Sequence, residues 1–76
     1  MSKVPILSAK QVVRAFNSFG WEIARQRGSH IIMTRENHIA SLSIPDQKEI
    51  AKGTLRSLIK SAGINVDEFV EIVNRL

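Results

Sequence analysis

A block of alternating residues between two helical stretches constrains this chain more than any other feature of its sequence. From Trp21 to Arg27 the residues alternate, with Trp21 and Ile23 on one side and Glu22 and Gln26 on the other, as a half-buried strand requires. Gly28-Ser29 makes a turn, and His30 to Arg35 is rich in β-branched and apolar residues. "ENH" around Asn37 supplies a second turn, and Ile39 to Ile44 alternates again until Pro45 stops it. Short connections of this kind join antiparallel neighbours, so the block predicts a three-stranded meander.

Helical punctuation surrounds the meander. Ser8 is an N-cap with Gln11 three residues on, as in a capping box, and Leu7 and Val12 are spaced as a hydrophobic staple. Val12, Val13, Phe16 and Phe19 share one face, and Gly20 fits a left-handed helix terminus with Trp21 packing back, which predicts a first helix over about Ser8 to Phe19. After "DQKEIAK", Gly53-Thr54 opens a second helix with Leu55, Leu58, Ile59 and Ala62 on one face, closed by Gly63 with Ile64 behind it. Asn65 and Glu68 mark another N-cap, and Val66, Phe69, Val70, Val73 and Leu76 stripe a short third helix. The economical way to bury these stripes is an α+β sandwich of order α-β-β-β-α with a C-terminal helix appended, its helices on one face of the sheet and the other face exposed.

Seventy-six residues allow one small domain, 1–76, with one core. Hydrophobic content of 43% with 24% charged residues is an ordinary globular balance. Cysteine is absent, which removes disulfides, thiolate metal sites and cysteine nucleophiles together. The apolar run "VPIL" is too short for a secretion signal or a membrane span, and the protein is expected in the cytoplasm with no membrane partner. A net charge of +4 favours polyanionic partners.

The stretch "RQRGSHIIMTR" gathers the chemistry. With turns at Gly28-Ser29 and Glu36-Asn37, His30 falls opposite Arg27 and near Ser43 and Ile44, so that Arg25, Arg27, Lys48 and Lys52 gather with it at one end of the sheet. A base that titrates near neutrality beside groups that hold phosphate meets two requirements of RNA cleavage. Imidazole removes the 2′-hydroxyl proton, the oxygen attacks the adjacent phosphorus, and Arg or Lys stabilises the charge of the phosphorane, with no metal or cofactor required. The nucleophile belongs to RNA alone, so DNA is rejected without any base being read. Lys52 and the backbone N–H groups of the helix start near Gly53-Thr54 are a second phosphate-binding candidate, and Arg56 and Lys60 extend the basic surface or form an ordinary solvated face.

Other constellations are weaker. His38 falls across from about Arg35, roughly 17 Å from His30 at ~3.3 Å per residue, so a paired-histidine or shared metal site is disfavoured and His38 reads as a polar residue at an exposed turn. The carboxylates form no convincing pair, there is no phosphate-binding glycine loop or zinc spacing, and Trp21 and Phe19 each continue an apolar face.

"RQRGSH", then "SIP" closing the third strand, then "KGTLRSLIKSAGI" together resemble the HicA-like mRNA interferase toxins of bacterial and archaeal toxin–antitoxin pairs, over most of the chain. The resemblance implies a double-stranded-RNA-binding-like fold and a cofactor-free endoribonuclease that cleaves mRNA with the histidine of its Gly-Ser-His motif, here Gly28, Ser29 and His30. It also implies inhibition by a HicB-type antitoxin. The family's helix-opening Lys-Gly-Thr-Leu falls on Lys52, Gly53, Thr54 and Leu55, expected to serve helix capping and packing. Family members often carry another histidine after the proline that closes strand 3, whereas Pro45 here is followed by Asp46, Gln47 and Lys48, leaving Lys48 as the candidate substitute. Two rival readings accompany the nuclease: a non-catalytic RNA-binding module of the same fold, and a protein–protein adaptor using the open sheet face and the third helix.

Overall fold

The computed structural model describes residues 3–76. It runs α1 (Ala9–Asn17), β1 (Glu22–Arg27), β2 (His30–Thr34), β3 (Leu42–Pro45), α2 (Lys52–Ser61) and α3 (Val66–Arg75). The strands form one antiparallel sheet in the order β1-β2-β3, which is the expected α+β layout.

Local signals set the helix ends. Capping boxes close the N-termini of α1 and α3: Ser8 Oγ accepts from the Gln11 N–H while Gln11 Oε1 accepts from the Ser8 N–H, and Asn65 and Glu68 repeat the exchange. At the other end of α1 the Trp21 N–H donates to the Phe16 carbonyl and the Gly20 N–H to that of Asn17, the bond pattern of a Schellman terminus. Gly20 sits there at φ 91°, where a Cβ is strained. Ile64 and Gly63 close α2 with the same pair of bonds. Phe19 falls just past α1 and packs against the core from the turn.

The helices cover one sheet face. Ile31 and Met33 of β2 and Leu42 and Ile44 of β3 point into a core shared with Val12, Phe16, Trp21, Leu55, Ile59 and Phe69. Phe16 is its hub, with its ring centroid 6.4 Å from that of Trp21 and 5.1 Å from that of Phe69. The third helix is therefore part of the core. Chain segments outside the regular elements join in as well: Val4, Leu7 and Ile50 are buried, the Ile50 N–H donates to the Leu7 carbonyl, and the Ala9 N–H donates to that of Gln47.

Two strands differ from expectation. The third begins at Leu42 rather than Ile39, whose side chain is 105% exposed, because Asn37 turns at φ 66° and the following residues bend before the ladder resumes. The first strand, an edge of the sheet, is exposed at all six positions instead of half-buried, and even Ile23 is 55% exposed. Its alternation also breaks. A register shift between Ile23 and Arg25 leaves Ala24 as an extra residue, a β-bulge, so Glu22 pairs with Thr34 and Gln26 with Ile31 and the two lie on opposite faces rather than one.

Candidate functional site

The Gly28-Ser29 hairpin puts Arg25 and Arg27 on the open side of the sheet with His30, and the bulge takes Ile23 off it. In an uninterrupted strand Ile23, Arg25 and Arg27 would share a face. Instead Ile23 pairs with the buried Met33, on the helix side, while Arg25 pairs with Ile32 and Arg27 with His30, on the open side. On β3 the partner of His30 is Pro45, one residue beyond the expected Ser43–Ile44, because Pro45 closes the strand from within as its last residue. The open face thus holds a row of Arg27, His30 and Pro45 beside a row of Arg25, Ile32 and Ser43.

Gly28 and Ser29 build the turn that presents His30. With Arg27 and His30 paired, they form a two-residue hairpin loop; Gly28 takes φ 57° and Ser29 has no positive φ, the sign pattern of a type II′ turn. The Ser29 carbonyl accepts from the Asp46 N–H at 2.7 Å, which ties the turn to the residue after β3. Asp46 sends its carboxylate to the helix side, where Oδ2 accepts from Gln26 Nε2 at 3.4 Å. Among the described residues, His30 makes no side-chain hydrogen bond, and neither Arg25 nor Arg27 is ion-paired; the ion pair that does form joins Arg75 to Glu71 on α3 at 2.7 Å. One exposed imidazole and two unneutralised guanidiniums therefore stand on neighbouring positions of the hairpin, an arrangement able to hold a phosphodiester and exchange a proton with a hydroxyl beside it.

The two lysines follow β3 in the chain. Lys48 lines a cleft of about 460 Å³ with Ser8, Ala9, Lys10, Asp46 and Gln47. Lys52 is the exposed first residue of α2. The helix opens there and not at Gly53-Thr54; Ala51 is the N-cap, and no side chain caps the first turn, so Thr54 has no capping role while Leu55 packs in the core as expected.

His38 is not a simple turn residue. It is half-buried, its ring centroid lies 4.8 Å from that of Trp21 at 67° between planes, and its Nε2 is 3.1 Å from the Ser61 carbonyl at the end of α2. It thus pins the β2–β3 connection to the helix layer at the far end of the sheet from His30. Nothing local in the sequence pairs position 38 with Trp21 or Ser61, which are brought together only by the fold.

Fold and site together define a small α+β protein with an open cationic sheet face bearing one unengaged histidine. A family model described as the HicA toxin of bacterial toxin–antitoxin systems matches residues 9–64, from the start of α1 to the turn after α2, and the chain belongs to that family. It is accordingly a toxin of a toxin–antitoxin pair, with an antitoxin as its partner. A comparison with curated proteins finds no match. Among the described residues, no helix is long and apolar enough to cross a membrane.

Proposed function

We propose that this toxin is a metal-independent endoribonuclease that cleaves mRNA at the open face, with His30 as general base and Arg25 and Arg27 as phosphate contacts. His30 takes the proton from a ribose 2′-hydroxyl, the O2′–P bond forms as the P–O5′ bond breaks, and the products are a 2′,3′-cyclic phosphate and a 5′-hydroxyl. The proton for the departing 5′-oxygen comes from the histidinium, a lysine or water. The guanidiniums oppose the charge that builds on the non-bridging oxygens. Imidazole and guanidinium between them provide proton transfer and charge stabilisation, so no cofactor enters the scheme. Gly28 and Ser29 aim the histidine, and Lys48 and Lys52 contact phosphates where the strand leaves the face.

The observation that carries this reading is the hairpin register that places Arg25 and Arg27 on the face of His30, with no carboxylate paired to them among the described residues. The same exposure gives a HicB-type antitoxin a surface to occlude, and mRNA as target fits the cytoplasm. One feature favours a non-catalytic RNA-binding module instead: no hydrogen bond orients the His30 ring among the described residues. Expression in a bacterial host separates the two. Growth arrest with degradation of transcripts that vanishes for His30→Ala supports the nuclease, and arrest that persists in His30→Ala contradicts it.

A further inference from the structure

Charge is segregated among the helices. α3 carries Asp67, Glu68 and Glu71, with Arg75 ion-paired to Glu71, the usual mixture of a solvated face. α2 carries Lys52, Arg56 and Lys60 and no carboxylate. The three cations are spaced four residues apart, all are exposed, and among the described residues none is ion-paired. At ~1.5 Å rise per residue they form a ladder about 12 Å long. Leu55, Leu58 and Ile59 fix the opposite stripe of α2 in the core, so the ladder belongs to the helix layer and not to the open sheet face. Its first rung, Lys52, follows the 46–51 segment that leads out of Pro45, the partner of His30.

We propose that Arg56 and Lys60 continue from Lys52 as a second phosphate-binding track, over which an RNA engaged at His30 passes around the sheet end and along α2. The inference rests on the RNA-cleaving reading. It adds a length requirement: short RNAs meet only the sheet face, whereas longer ones also neutralise the ladder. Like charges aligned without partners cost self-repulsion, which a polyanion relieves with release of its counterions.

The test is binding of oligouridines of increasing length, titrated with salt, in a His30→Ala background that keeps the RNA intact. Arg56→Gln/Lys60→Gln should lower the salt slope for long oligouridines by about 1.4, at ~0.7 per single-strand phosphate contact, and the deficit should shrink as the RNA shortens. Lys3→Gln/Arg14→Gln, which removes two charges elsewhere, should not reproduce that length dependence. An unchanged slope, or equal loss in the control, overturns the track. Loss of polyglutamate binding with RNA binding retained would assign the ladder to an acidic protein and likewise overturn it. A background protein that binds no RNA at any length would instead bring down the RNA-cleaving reading itself.

Discussion

Ile23 and Arg25 are two residues apart on β1, yet they pair with adjacent residues of β2, Met33 and Ile32. The hairpin register holds Arg25 and Arg27 on the open face with His30, and the mismatch takes Ile23 off it. Arg25→Gln should therefore weaken RNA binding and lower the salt slope by about 0.7. Moving the charge by one residue, in Arg25→Gln/Gln26→Arg, should not restore either quantity, because position 26 lies on the helix side with Ile31. Recovery in the shifted variant would show that only net charge matters.

His38→Ala should destabilise the fold by about 1–2 kcal/mol, through the lost contact with Trp21 and the lost bond to Ser61. For a domain of this size that is a fall in Tm of roughly 4–8 °C per kcal/mol. RNA cleavage by the folded protein should persist, since His38 stands at the far end of the sheet from His30. Thermal unfolding and a cleavage assay on the same preparation check both halves.

Two glycines should respond in opposite directions to alanine. Gly20→Ala places a Cβ at φ 91°, 3.4 Å from Arg35 Nε, and should cost about 1–2 kcal/mol. Gly53→Ala lies inside α2 with nothing within 4 Å of the new Cβ and should stabilise by about 0.4–1 kcal/mol. Denaturant midpoints measure each.

Phe69 lies on α3, beyond the matched residues 9–64, and is 0% exposed against Phe16. Phe69→Ala should cost about 3–5 kcal/mol, a large part of the stability of so small a domain. Near-native stability in that variant would show α3 to be dispensable.

What was legible in the sequence was local. The capping boxes at Ser8 and Asn65, the termini at Gly20 and Gly63, and the Arg27–His30 pairing all depend on residues within a few positions of one another, and all stand where the pattern put them. The illegible parts are nonlocal. How much of β1 the helices cover is set by tertiary packing, so the alternation at Ile23 could not reveal its exposure. A bulge at Ala24 leaves no composition signal, although it decides that Ile23 does not share the face of the arginines. The clamp on His38 joins residues 17 and 23 positions away along the chain. For the candidate site, residue types and the hairpin were readable, while the absence of a side-chain cap at the start of α2 was not.

The most direct test of the central claim uses purified protein and RNA in EDTA, with RNA affinity measured on the same samples. The unsubstituted protein should cut RNA to 2′,3′-cyclic phosphate ends, and His30→Ala should stop cutting while binding RNA nearly as well. RNA that stays intact under conditions of demonstrated binding, or cleavage that continues in His30→Ala, would contradict the account.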